Sequence, residues 1–173
     1  ARRAGLAVRG IDASASMVER CQAKGLPVER SGLGEFLLCC PAEEFRCVTL
    51  LHVVEHIPVA HLPALLVELK RIIAPGGRLL MEFPNIGNLL TAANHFYVDY
   101  THHRPLHRET VKLFCEAAGF SGVFSHELHP ADEAERLKPV DASLPGAAGM
   151  NEAIDRLNRL LYGPRDVLVV AER

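Results

Sequence analysis

The sequence feature that most constrains the fold is the stretch at residues 47–58, CVTLLHVVEHIP, in which an apolar run ends abruptly in polar residues before a proline. The run at 47–51 is continuous, contains β-branched residues and is too short for a core helix, so it predicts a central parallel strand covered on both faces. Ligands of open parallel sheets bind beyond the carboxyl ends of the strands. His52, Glu55 and His56 follow this strand and are therefore candidate site residues.

The same residues spell H-x-x-E-H, which is a pattern of one group of zinc peptidases. Two histidines four positions apart bind one metal ion when they share a helical face. Pro58 disfavours helical geometry at Ile57, and the residues before it favour a strand. A zinc hydrolase built on His52, Glu55 and His56 stays an alternative; since no other metal-ligand spacing strengthens it, we predict no metal site.

Strand and helix patterns alternate along the rest of the chain, after opening residues that predict the tail of a helix running into a strand. Strands are predicted at residues 6–11, 27–30, 47–51, 78–83, 122–128 and 166–171. Helices are predicted from Ser14 or Ser16 to Lys24, and at 35–40, 61–74, 110–118 and 151–162. This order predicts one α/β domain over residues 1–173, with a mostly parallel sheet and right-handed crossovers.

Two connections depart from this alternation. Residues 87–108 concentrate histidine, tyrosine, asparagine and arginine side chains, and a long polar connection in a compact domain is more often functional than filler. Residues 130–149 are rich in proline, glycine, alanine and charge, which predicts a loop excursion.

The charge balance and the hydropathy pattern exclude some classes of partner. The 173 residues include 19 Lys and Arg against 21 Asp and Glu, a formal net charge of -2, which gives no general attraction to nucleic acid or anionic membranes. No apolar run approaches the length of a membrane span. We therefore expect a cytoplasmic protein with no nucleic-acid partner and no membrane span.

Four segments in this order resemble the class I S-adenosylmethionine-dependent methyltransferases: GIDASASMV, VTLLHVVEHIP, LKRIIAPGGRLLMEFPN and THHRPLHRETVKLFCEAAGF. The likeness is greatest to the bacterial type 11 and type 12 groups, some of which are linked to lipopolysaccharide or O-antigen synthesis. It runs over nearly the whole chain. The resemblance implies a Rossmann-like methyltransferase sheet whose last strand is antiparallel, and S-adenosyl-L-methionine as the cofactor.

The resemblance also implies which residues bind that cofactor: Asp12, Ala13, Met17, Gly32, Leu33, Leu51 and His52. Asp12 would accept hydrogen bonds from both ribose hydroxyls, although an Asp that caps the next helix is an equally simple explanation. Ala13 and Met17 would lie beside the adenine, and Gly32 departs from the family pattern, which often has an acidic residue there.

The segment HFYVDYTHHRPLH resembles an acceptor-side segment. Candidate catalytic residues are His56, His102 and His107, and candidate substrate-binding residues are Tyr97, His103 and Arg104. A histidine suits the deprotonation of a hydroxyl, so we expect an oxygen acceptor on a glycan or a small molecule. His102 and His103 are equally compatible with exposed polar positions.

The family's glycine-rich loop is absent from this sequence, together with the strand and helix that it joins. That strand would lie between the one that ends at Asp12 and the one at 47–51, so we expect a gap in the middle of the sheet. Each buried backbone group left unpaired there costs about 1–3 kcal/mol. We therefore expect an N-terminally incomplete methyltransferase domain with impaired cofactor binding; a non-catalytic binding or scaffold module is the other alternative.

Overall fold

The computed structural model describes residues 5–173; the predicted helix tail falls on residues 1–4, outside the described residues. Within the described part, six strands form two sheets: β1 (Gly10–Asp12), β2 (Val28–Arg30), β3 (Phe45–Leu51), β4 (Ile73–Pro84), β5 (Ser121–Leu128) and β6 (Asp166–Glu172). The helices are α1 (Ala15–Ala23), α2 (Leu33–Cys39), α3 (Leu62–Ile72), α4 (Leu89–Ala93), α5 (Arg108–Ala117) and α6 (Ala147–Leu161). Short 3-10 helices occupy Val54–His56, Val59–His61, His95–Val98 and Glu133–Glu135.

The sheet pairing confirms the predicted α/β methyltransferase architecture. β1 and β2 pair in parallel, and a second sheet has the order β3-β4-β6-β5. β3 and β4 are parallel, whereas β6 runs antiparallel to both β4 and β5. In residues 5–173 no ladder joins β1 to β3, so the sheet is interrupted at the expected place.

This interruption corrects the prediction that the strand at 47–51 is covered on both faces. β3 is an edge strand of its sheet, and Cys47, Thr49 and Leu51 on one of its faces are exposed, Leu51 by 57%. The opposite face carries the buried Leu50. An apolar run of this length therefore identifies a strand, but it does not show how many neighbours the strand has.

Three boundaries also differ from the predictions. β1 begins at Gly10 instead of residue 6, because its ladder with β2 starts at the Gly10–Val28 pair. β4 begins at Ile73 because Phe45 pairs with Ile73 before a bulge shifts the register. α6 begins at Ala147, so the end of the predicted 130–149 loop is helical.

The hydrophobic core lies between one face of the four-stranded sheet and helices α3 and α5. β4 alternates buried and less buried residues, with Leu79, Met81 and Phe83 facing the core. Gly77 allows the close approach of β4 to β3, since a Cβ at this position would lie 2.7 Å from the Arg46 carbonyl oxygen. None of the helices in the described residues is both long enough and apolar enough to cross a membrane.

Candidate active site

Polar residues gather where β3 and β4 end. His52 follows β3 with a φ of 52°, and its N–H donates to the Glu82 carbonyl oxygen at 2.9 Å, which extends the ladder by one bond. The next residues form the 3-10 helix Val54–His56. His52 and His56 therefore do not share an α-helical face, and the zinc hydrolase alternative is not supported.

Glu55 is the buried centre of this region, with a side chain that is only 1% exposed. Its Oε1 lies 3.2 Å from His52 Nδ1, while Oε2 has no hydrogen-bond partner in the described part of the chain. The Glu55 carbonyl oxygen accepts a hydrogen bond from the His103 N–H at 2.8 Å. This bond fixes the loop after the 3-10 helix His95–Val98 against the end of β3.

A hydrogen-bonded chain sets the tautomer of His56. Thr101 Oγ1 lies 2.6 Å from Asp99 Oδ1 and 2.8 Å from His56 Nδ1. A carboxylate only accepts, so the single hydroxyl hydrogen of Thr101 goes to Asp99, and His56 Nδ1 must donate to Thr101. Neutral His56 then carries its lone pair on Nε2. The Thr101 hydroxyl, followed by the Thr101 N–H, lowers the pKa of Asp99.

His102 is held in the same tautomer by a different partner. Its Nδ1 lies 2.6 Å from the Phe96 carbonyl oxygen, which can only accept, so Nε2 again carries the lone pair. The His102 ring packs against Phe96 and lies edge-on to His56, with ring centroids 4.7 Å apart. Glu55, His56 and His102 each place one nitrogen or oxygen atom within 4.8 Å of the others.

The other acceptor-side candidates lie outside this group. His107 Nδ1 accepts a hydrogen bond from the Glu109 N–H at 3.3 Å and so caps α5. Tyr97, His103 and Arg104 have exposed side chains in the connection before α5. The structure therefore brings together two of the three predicted catalytic histidines and gives the third a position at a helix start.

The predicted cofactor side begins at Asp12, the last residue of β1. Asp12 Oδ1 accepts a hydrogen bond at 2.7 Å from the N–H of Ser14, the N-cap residue of α1, so Asp12 forms a turn before the helix and does not cap it. Asp12 Oδ2 makes no hydrogen bond within residues 5–173. Met17 is 45% exposed on α1, and Ala13 is exposed beside it. Gly32 precedes α2 and faces open space, because a Cβ there would meet nothing within 4 Å.

A methyltransferase-domain family matches residues 1–124 of this chain. The chain belongs to this methyltransferase family. A crystal structure of a SAM-dependent methyltransferase from Archaeoglobus fulgidus is similar over 99% of this chain and 78% of its own length, with 30% identity and a TM-score of 0.89. No curated protein matches the chain.

More distant structures show the fold alone. A possible histamine N-methyltransferase from Thermotoga maritima is 18% identical, with a TM-score of 0.63, and the match covers 95% of this chain and 72% of that one. Phosphoethanolamine N-methyltransferase 2 of Haemonchus contortus, solved with S-adenosyl-L-methionine, is 16% identical, with a TM-score of 0.64 and coverages of 98% and 44%.

S-adenosyl-L-methionine is the cofactor of this methyltransferase, and the exposed residues after β1 and β2 fit its adenosine half. The unpaired Asp12 Oδ2 suits a ribose hydroxyl, and the open space at Gly32 leaves room for a flat ring. The Leu33 side chain packs partly against the core, which leaves only its backbone for the predicted adenine contact. On the methionine side the exposed Leu51 and His52 follow one another at the end of β3.

Sequence reasoning missed part of the polar region of this methyltransferase. Glu82 and Asp166 lie near the far ring nitrogen of His52, and His129 lies beside both carboxylates. Thr101 joins His56 to Asp99. The available signals were a glutamate inside the apolar strand at 78–83 and an aspartate at the start of the last strand. Neither signal shows which histidines lie near these two carboxylates. That depends on the antiparallel pairing of β6 with β4, which brings Asp166 to the end of β4.

Proposed function

We propose that this protein transfers a methyl group from S-adenosyl-L-methionine to a hydroxyl oxygen, on a glycan or a small molecule, with His56 as the base. The observation that carries the proposal is the Asp99–Thr101–His56 chain, which leaves Nε2 of a neutral His56 ring unprotonated, on a side chain grouped with Glu55 and His102. An amine acceptor would need no such base if it entered the site uncharged.

The proposed chemistry divides between the cofactor and the protein. When bound, S-adenosyl-L-methionine supplies an electrophilic methyl group on a sulfonium. The acceptor hydroxyl is a weak nucleophile, and His56 Nε2 would take its proton as the new C–O bond forms, a role worth about 10²–10⁴-fold in rate. The imidazolium would be stabilised through Nδ1–H by Thr101 and Asp99, and by the nearby Glu55 carboxylate.

His102 has a positioning role in this proposal, because its side chain is 12% exposed and packs between Phe96 and His56. His107 is given no catalytic role, because its ring caps α5. Tyr97, His103 and Arg104 are exposed and are proposed to contact the acceptor. A glycan suits this set, since it would accept hydrogen bonds from Arg104 and pack against Tyr97.

We also propose that this chain by itself binds the cofactor weakly. The adenosine side lies on β1 and β2, the methionine side lies on β3, and within residues 5–173 no ladder joins the two sheets. A ligand that bridges them must also fix their relative position, which reduces its apparent affinity.

The test is calorimetric titration of S-adenosylhomocysteine, followed by methyl-transfer assays with hydroxyl and amine acceptors. We expect binding that Asp12→Ala weakens, and methylated oxygen products. His56→Gln should lower kcat by about 10²–10⁴-fold without changing cofactor affinity. His61→Gln is the matched control, because His61 is an exposed histidine in the neighbouring 3-10 helix.

The possible failures are distinguishable. If S-adenosylhomocysteine does not bind at any concentration, methyl transfer by this chain is refuted. If only amines are methylated, the acceptor assignment is wrong. If His56→Gln and His61→Gln have equal activities, His56 is not the base.

A further inference from the structure

We propose that His52, Glu82 and Asp166 form a binding site for a divalent transition cation such as Zn²⁺. These residues lie at the end of β3, near the end of β4 and at the start of β6. The site shares none of its ligands with the proposed base and does not rest on the proposed function.

The distances between the three side chains fit one ion. His52 Nε2 lies 3.6 Å from Glu82 Oε1 and 3.9 Å from Asp166 Oδ1, and one atom from each of the three residues lies within 4.8 Å of the others. A tetrahedral Zn²⁺ with bonds of about 2.0–2.1 Å places its ligands roughly 3.3 Å apart. The two distances from His52 Nε2 exceed this value by a few tenths of an ångström, and the two carboxylate oxygens lie within 4.8 Å of each other. Three protein ligands leave one position for water or another oxygen.

The hydrogen positions favour a cation at this place. His52 Nδ1 faces the buried Glu55 carboxylate at 3.2 Å, and since a carboxylate only accepts, Nδ1 carries the hydrogen. The far ring nitrogen, Nε2, faces two carboxylates, Glu82 and Asp166, whose side chains are each only 18% exposed. Two carboxylates in one group repel each other unless a positive charge lies between them, which a metal cation or a proton on Nε2 supplies.

Two neighbouring side chains orient the proposed ligands, as outer residues do in metal sites. Glu55 holds the ring of His52 through Nδ1, which is the usual carboxylate–histidine–metal arrangement. His129 Nδ1 lies 2.8 Å from Asp166 Oδ2, which leaves Asp166 Oδ1 directed toward His52. His129 Nδ1 also lies 3.8 Å from Glu82 Oε1, so it stands at the rim of the same group.

The backbone fixes the ligands before any ion binds. Glu82 and Asp166 belong to the β4–β6 ladder, and His52 is tied to the Glu82 carbonyl oxygen at 2.9 Å. His52 and His129 both have left-handed backbones, with φ values of 52° and 53°. Such conformations are uncommon for residues other than glycine and persist where the surroundings determine them.

The experiment uses the folded chain freed of metal by a chelator. Zn²⁺ is titrated by calorimetry, and Co²⁺ is titrated with visible absorption as the readout of coordination. We expect one ion per chain, with the affinity reduced at least 100-fold in Glu82→Gln and Asp166→Asn. His129→Gln should lower the affinity by about 10–100-fold, as loss of an outer partner does. His61→Gln should bind as the unaltered protein does.

Several results would overturn the proposal. The first is the absence of stoichiometric Zn²⁺ and Co²⁺ binding, in which case a proton on His52 Nε2 satisfies the two carboxylates. The second is equal affinity in Glu82→Gln, Asp166→Asn and the unaltered protein. The third is loss of binding in His56→Gln or His102→Gln while Glu82→Gln binds normally, which would place the ion at the other histidine cluster. Circular dichroism of each variant establishes that it is folded.

Discussion

Replacement of Thr101 by valine tests whether the Asp99–Thr101–His56 chain holds His56 in one tautomer. The Thr101 hydroxyl makes two hydrogen bonds, at 2.8 Å to His56 Nδ1 and at 2.6 Å to Asp99 Oδ1. Each such bond contributes about 0.5–1.5 kcal/mol to stability. Because Thr101 and Asp99 are exposed and water can replace most of the loss, we expect only a small fall in the free energy of unfolding.

The same substitution should change the tautomer ratio of His56. A bond of about 1 kcal/mol corresponds to a roughly five-fold preference for the Nδ1–H form. Nitrogen-15 NMR of the histidine rings distinguishes protonated from unprotonated ring nitrogens. We expect a bare Nε2 on His56 in the unaltered protein, and a mixture of both tautomers in Thr101→Val. The pKa of Asp99 should rise toward its ordinary value in the variant, because the Thr101 hydroxyl is the largest cause that lowers it.

Thr110→Val is the matched control, because Thr110 is an exposed threonine in the first turn of α5. It should leave the His56 spectrum and the pKa of Asp99 unchanged. The tautomer argument is refuted if unaltered His56 is mainly protonated on Nε2, or if Thr101→Val leaves its spectrum unchanged.

Two further predictions concern stability. Burial raises the pKa of the Cys115 thiol to about 12, so an unfolded chain ionises near pH 9 while the native thiol stays neutral. Below pH 9 this pKa difference does not reduce the stability of the native state. As the pH rises above 9, only the unfolded thiol ionises, so the free energy of unfolding should fall, by about 1.4 kcal/mol at pH 10. Denaturant titrations of Cys115→Ala should lack this slope. Gly77→Ala should cost about 1–3 kcal/mol in the same titrations, since its Cβ would lie 2.7 Å from the Arg46 carbonyl oxygen and 2.8 Å from that of Ala74. Gly34→Ala, within α2 and with open space at the Cβ position, should be neutral or stabilising, and equal losses in the two variants would contradict the argument.

Local pattern was sufficient to predict the order of strands and helices, because periodicity and stop signals are themselves local. The stripe of α3 and the glycines after it placed a helix before β4, and the resemblance implied that the last strand runs antiparallel. The exposure of β3 could not be predicted from the composition of the strand, because it depends on which strands pair beside it. The early start of α6 was missed because Gly146 and the residues near it give the signals of a loop; Gly146 instead precedes the helix with a φ of 79°.

The site was predicted where its residues follow one strand, and it was missed where they meet across the sheet. His52, Glu55 and His56 lie together in the sequence, so the end of β3 was identifiable. Asp166 approaches His52 because β6 enters antiparallel beside β4, pairing Pro84 with Asp166. That register is a property of the whole sheet, and a single sequence does not state it.

Replacement of Glu55 by glutamine separates the stability of this region from its proposed chemistry. The Glu55 side chain is 1% exposed, and Oε2 has no donor in the described part of the chain, which makes the carboxylate costly to bury. A glutamine oxygen can still accept from His52 Nδ1, while its amide group adds a donor next to His56 and His102. We therefore expect Glu55→Gln to raise the midpoint of thermal unfolding.

The same change removes the negative charge that would stabilise an imidazolium at His56 and strengthen His52 as a ligand, so methyl transfer and Co²⁺ affinity should both fall. A lower unfolding midpoint would mean that Glu55 Oε2 has a hydrogen-bond donor in solution, such as a water molecule, and unchanged Co²⁺ affinity would separate Glu55 from the cation site.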